Sequence, residues 1–275
     1  MKAPTARPAI KALVVASYLI MITLNALANG LPLNGRTTGA VSDAYPNLFA
    51  PTGLTFAIWG VIYLLLAAHV LYQLGLFQPA GAAESAGDAT ARVALLERVG
   101  VLFSLSSLAN AAWIVSWHYD LIGLSTVLLI TMLVLLVAIT RTIIAARPSG
   151  RDAVFLRLPF SVYFGWITVA TIANITVWLV SIGWDRFGIS EPAWAVVIIA
   201  VGAVIGSAVM LRDRDLAYGL VLVWAYFGIW LKHTSGDGFD GAHPAVSTTA
   251  LVGILAFLAS GVSILLRRRR TVTSS

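Results

Sequence analysis

Eight stretches of this 275-residue chain are apolar for long enough to cross a bilayer. A spanning helix needs about 20 mostly apolar residues. Such runs occupy residues 10–31, 52–74, 98–117, 121–144, 156–181, 193–211, 215–231 and 245–266. Hydrocarbon offers no water to the backbone, so each segment must satisfy its own N–H and C=O groups, and a helix does this internally. The chain is therefore predicted to be all-α, a polytopic transmembrane helix bundle of about eight spans. Breakers or charges fill the joints, as in "LPLNGRTTG", "RPSGRD", "WDRFGISEP" and "KHTSGDGFDGAHP". Charged residues are 11% of the chain, against about 25% in soluble domains, which agrees with this class.

Lysine and arginine then sort by side. With the N-terminus in the cytoplasm, the inner segments hold Lys2, Arg7, Lys11, Arg92, Arg98, Arg141, Arg147, Arg151, Arg157, Arg212, Arg214 and Arg267 to Arg270, 15 residues in all. The outer segments hold 3, namely Arg36, Arg186 and Lys232. That asymmetry predicts a multi-pass protein of the cytoplasmic membrane with both termini inside. It also accounts for the net charge of +6 without a nucleic-acid partner. The run Arg267 to Arg270 reads as an anchor on anionic lipid. "ALA" at 26–28 resembles a signal-peptidase site, but the first apolar run is long enough to span and is expected to be retained.

Several chemistries have no residues to support them. There is no cysteine, hence no disulfide, thiolate metal site or cysteine nucleophile. No metal or cofactor is expected to be required. The helix interiors carry almost no Asp, Glu or Lys, which speaks against ion-coupled transport and general acid–base catalysis. His69 is expected to be a packed, hydrogen-bonded group. "GAVIG", Gly202 to Gly206, fits small-residue helix packing, with a homodimer seam as the alternative.

Asparagine and aromatic residues fill the interiors instead. Trp59 and Tyr63 share a face at i, i+4. Ser106, Asn110, Trp113 and Trp117 form a second stripe, and Tyr18, Met21, Asn25 and Asn29 a third. Trp166 and Asn174 share a face of the fifth span. Two readings compete. The amides staple helices together, because an unpaired amide in hydrocarbon is costly. Alternatively, amides and rings line a cavity that opens outward. Trp117, Trp184, Trp194 and Trp230 sit at helix ends and read as an interfacial belt.

Residues 10–181 resemble the TspO/MBR family of tryptophan-rich sensory and translocator proteins. "YPNLFAPTGLTFAIWGVIYLLL" is similar to that family's proline-rich loop and Trp-Gly-x-x-Tyr helix, here Pro46, Pro51, Trp59, Gly60 and Tyr63. "LANAAWIVSW" carries its Asn-x-x-Trp as Asn110 and Trp113. "LPFSVYFGWITVATIANITVW" carries Pro159, Tyr163, Trp166 and Asn174. The family loop typically has a tryptophan between its prolines, where this chain has Leu48 and Phe49.

The resemblance implies a five-helix core, residues 1–190, to which residues 191–275 add a three-helix extension with a basic tail. It implies binding of tetrapyrroles such as protoporphyrin IX or haem, or similar flat apolar ligands, in an outward-opening cavity, and a role in signalling. Its site residues carry over as Pro51, Trp59, Tyr63, Asn110, Trp113, Trp166 and Asn174, with Asn25 joining them from its stripe. Pro51 is expected in the first turn of the second helix, below a lid-like loop, with Arg36 and Lys232 near the ligand's carboxylates. A light-dependent porphyrin-degrading activity is reported for the family; a non-enzymatic role is favoured here. Export of small apolar metabolites and a non-binding scaffold are the alternatives. The expected partners are a small apolar ligand, membrane lipid and a second copy of the chain.

Overall fold

The computed structural model describes residues 6–78, 86–148 and 150–273. Lys2 and the side chains of Arg268 to Arg270, assigned above to inner charge and lipid anchoring, lie outside them. The described residues are helical with no strand, and eight helices are long and apolar enough to span a membrane. They are α1 (Pro8–Gly30), α2 (Gly53–Leu74), α3 (Ala86–His118), α4 (Ile122–Ala146), α5 (Gly150–Ser181), α6 (Glu191–Asp213), α7 (Leu216–Thr234) and α8 (Pro244–Thr273). The protein is a polytopic helical membrane protein. Leu64 and Val204, 74% and 70% exposed, sit on faces that suit lipid rather than water.

Each predicted span is present, and the differences are at the ends. Helix α3 begins twelve residues before the expected 98, because "AGDATARVALLER" has no breaker after Gly87 and is rich in helix formers. It was expected to belong to a loop because its charges remove the hydropathy signal. Helix α2 opens as a 3-10 turn, Gly53–Ala57, after an N-cap at Thr52. Pro51 therefore precedes the cap instead of occupying the first turn. Helix α5 contains a π stretch, Ala153–Arg157, before regular helix from Leu158.

By contact, the chain forms two compact units: residues 1–37 with 59–164, and residues 38–58 with 165–275. These units follow contact, whereas the division at residue 190 follows resemblance. In the first unit, α1 and α4 both pack on α3. His69 is fully buried there against Phe103 and Phe160. Its Nδ1 lies 3.0 Å from the Phe155 carbonyl, which can only accept, so Nδ1 carries the proton. That carbonyl lies within the π stretch, where regular helix bonding is interrupted. His69 is thus the packed group expected. Tyr72 donates to Asp152 nearby.

In the second unit, α8 packs against both α6 and α7. Gly202 and Gly206 let α6 approach α7. A Cβ on Gly202 would lie 2.6 Å from Tyr226 Oη, and one on Gly206 2.5 Å from Leu222 Cδ1. The small-residue pair is therefore occupied by packing within the chain. Arg214 takes a left-handed conformation to end α6, and Asp215 Oδ1 caps α7 by accepting from Tyr218 N at 3.1 Å.

The segment 38–58 is fastened to α7. Trp224 Nε1 donates to Thr55 O at 2.9 Å, Thr52 N to Gly228 O at 3.2 Å, and His233 Nε2 to Leu48 O at 2.9 Å. Lys232 Nζ meets Asp43 Oδ1 at 2.8 Å. Gly228 permits the contact, since a Cβ there would collide with Thr55.

Candidate functional site

Five of the eight predicted site residues come together in the first unit, on α1, α2 and α3. Asn25 Nδ2 donates to Asn110 Oδ1 at 2.8 Å, and Asn110 Nδ2 donates to Tyr163 Oη at 2.9 Å. Tyr163 Oη donates onward to Met132 Sδ at 3.4 Å. Asn25 Nδ2 also reaches the Met21 carbonyl of its own helix at 2.9 Å. This chain of amides and hydroxyl crosses α1, α3, α5 and α4 in turn. Asn110 and Tyr163 are fully buried, so no solvent competes for these bonds. The stapling role foreseen for the asparagines is what their geometry displays.

Beside the amides stands a wall of rings. Trp59 stacks on Tyr63 with centroids 5.5 Å apart and planes 18° apart. Trp113 lies 5.5 Å from Trp59 at 32°, and Tyr163 meets it edge-on at 6.1 Å. Trp117 continues the wall from Trp113, 6.2 Å away at 23°. Trp117 thus packs inside the unit rather than belonging to an interfacial belt. The i, i+4 spacing of Trp59 and Tyr63 on α2, and of Trp113 and Trp117 on α3, sets these faces. The Tyr63 hydroxyl is buried near the Asn110 amide, outside hydrogen-bond geometry. Its carbonyl accepts from Tyr18 Oη at 3.0 Å.

The other three predicted residues belong to the second unit. Trp166 is buried and meets Phe56 edge-on at 5.9 Å. Asn174 is buried on the later part of α5, and Pro51 is buried before Thr52. The turn that contains Pro51 is shaped by Asn47, whose Oδ1 accepts from Phe49 N at 3.1 Å and Ala50 N at 2.9 Å.

The two cations expected to meet a ligand are engaged elsewhere. Arg36 pairs with Asp120, where Asn34 Nδ2 also donates to the His118 carbonyl at 3.0 Å. Lys232 pairs with Asp43. A cavity of about 310 Å³ does occur in the second unit, among Pro46 to Phe49, the end of α5 and the start of α6. Trp184 and Trp194, read from sequence as belt residues, line it, as do Arg186 and Glu191. Their spacing carries no periodic signal, because the turn between α5 and α6 brings them together. Among the described residues no cluster of His, Asp or Glu is arranged to hold a metal ion.

Compared with known families, residues 11–263 match the family model described as TSPO-like protein. The match runs through α6, α7 and into α8, so these helices, placed above outside the resemblance, lie within it. No curated protein and no solved structure matches the chain significantly.

Proposed function

The chain belongs to the TSPO-like protein family, and from that premise we propose that it is a membrane sensory protein that binds a flat apolar ligand of the tetrapyrrole class. Protoporphyrin IX and haem are the candidates. The observation that carries this reading is the aromatic wall, in which Tyr63 and Trp113 lie within 5.5 Å of Trp59 at plane angles of 18° and 32°. Near-parallel rings offer a flat macrocycle a stacking surface, worth about 0.5–1.5 kcal/mol per aromatic pair beyond area burial. The Asn25–Asn110–Tyr163 chain would hold that wall in register, and Tyr63 would present the one hydroxyl of the cluster that has no hydrogen-bond partner. The lysine and arginine bias supports insertion in the cytoplasmic membrane with both termini inside.

Titration of the detergent-purified chain with protoporphyrin IX, followed by tryptophan fluorescence and Soret absorption, tests this. Saturable binding, weakened severalfold in Trp59→Phe and Trp113→Phe and unchanged in Trp230→Phe, is the expected result. Linear partitioning, equal in all variants, would overturn it.

A second reading, the non-binding scaffold, is favoured by the bonds that join the asparagine amides of α1 and α3 to each other and to Tyr163 of α5. It predicts that Asn110→Ala destabilises the fold while no variant alters protoporphyrin uptake.

A further inference from the structure

The cavity of the second unit has a chemistry different from that of the aromatic wall. Its volume, about 310 Å³, falls at the lower end of small-ligand sites. Its floor is apolar, with Leu179 of α5 and Ile198 of α6. Two indoles form a corner above it: Trp184 and Trp194 have centroids 4.9 Å apart and planes at 71°. Charges of both signs complete the lining. Asp185 already caps the turn by accepting from Phe187 N at 3.0 Å. Glu191 and Arg186 are not so engaged. Arg186 has one long bond, from Nε to Ile189 O at 3.4 Å. Neither makes an ion pair among the described residues, although both border the same space.

The backbone here is strained. Arg186 and Phe187 hold φ of 60° and 55° in succession, a region non-glycine residues seldom adopt. Such strain persists where the surrounding structure holds it, often at binding sites. It keeps Arg186 at the cavity and sets Phe187 edge-on against Trp184 at 5.2 Å.

We propose that this cavity binds a zwitterion with a quaternary ammonium centre and a nearby anionic group, of the phosphocholine type. The ammonium would sit in the corner of the two indoles, beside the Glu191 carboxylate, as such cations do on aromatic faces. The anionic group would meet the Arg186 guanidinium. A simple cation would face Arg186 unsatisfied, and a simple anion would face Glu191 and Asp185. A ligand with both signs answers both. The site lies at the ends of two spanning helices, where head groups reside, so the zwitterion has two sources: a lipid head group or a free solute. The proposal uses no residue of the first unit and stands or falls independently of tetrapyrrole binding.

The test is calorimetric titration of the full chain in dodecyl maltoside, which carries no ammonium group. The probes are phosphocholine, tetramethylammonium, inorganic phosphate and dihexanoyl-phosphatidylcholine. Phosphocholine is expected to bind saturably, and about tenfold or more weakly in Glu191→Gln, Arg186→Gln and Trp194→Leu. Trp230→Leu is expected to match the unaltered protein. Tighter binding of the short-chain lipid than of phosphocholine supports the proposal with a lipid as its source. Equal binding supports it with a free solute as its source. Tetramethylammonium or phosphate binding as tightly as phosphocholine overturns it, as does the absence of saturation. Unchanged affinity in folded variants does the same. If Trp194→Leu does not fold, Glu191→Gln, a near-isosteric change at a partly exposed position, decides alone.

Discussion

Removing the amide bridge between Asn25 and Asn110 gives a cost that can be worked in advance. Asn110 makes two bonds to other helices, 2.8 Å from Asn25 Nδ2 and 2.9 Å to Tyr163 Oη, in a site with no solvent exposure. Interhelical hydrogen bonds in membranes average about 0.6 kcal/mol and reach about 1.7. Losing both in Asn110→Ala therefore costs about 1.2 kcal/mol. The truncation also opens a void of roughly 25 Å³, which at ~24 cal/mol per Å³ adds about 0.6 kcal/mol. The sum is about 2 kcal/mol. Asn25→Ala loses one interhelical bond and a similar volume, so about 1 kcal/mol is expected. Equilibrium unfolding by SDS in mixed micelles, run on both single variants, the double variant and the parent, isolates the pairwise term. A coupling of about 0.6–1.7 kcal/mol is expected. A coupling indistinguishable from zero would refute the reasoning: the 2.8 Å contact would then contribute nothing to holding α1 on α3.

Three other outcomes follow from packing. Gly202→Ala should destabilise the second unit by about 1–3 kcal/mol, because its Cβ would lie 2.6 Å from Tyr226 Oη; thermal unfolding checks this, and adding Tyr226→Phe should relieve much of it. Trp224→Phe removes the bond to Thr55 O, so a loss of about 1 kcal/mol and faster proteolysis within residues 38–58 are expected; unchanged cleavage would show that this bond does not fasten the segment. Lys232→Ala deletes an ion pair whose Asp43 side chain is 59% exposed, so a change under about 1 kcal/mol, shrinking at high salt, is expected from the same unfolding assay.

The spans were legible because hydrocarbon leaves the backbone so little choice. Length and hydropathy sufficed for all eight. The start of α3 escaped because Arg92, Glu97 and Arg98 erase hydropathy without breaking a helix. Within the site, helical spacing identified which rings and amides share a face. It could not say which faces meet. Trp166 sits on the same helix as Tyr163, yet Trp166 packs on Phe56 while Tyr163 receives the Asn110 amide. Tyr163 was visible as a motif residue, but only the fold gives it a partner. The cavity shared by Trp184 and Trp194 was not legible for a related reason. Indoles at helix ends usually mark an interface, and the turn that makes them a corner depends on Arg186 and Phe187 adopting conformations that sequence rules disfavour.

The fastening of residues 38–58 to α7 also sets an order of events during synthesis. The ribosome delivers this segment early, but Trp224, Gly228 and His233, which receive it, come much later. About 180 residues separate the two, which at ~5–20 residues per second is roughly 10–35 s of waiting. Throughout that interval, the carbonyls of Leu48 and Thr55 and the amide of Thr52 lack the partners they have in the finished protein. The last helices, which have no chemistry of their own in sequence, therefore act as the closing step of biogenesis, and a chain stopped before α7 would leave residues 38–58 without a place to dock.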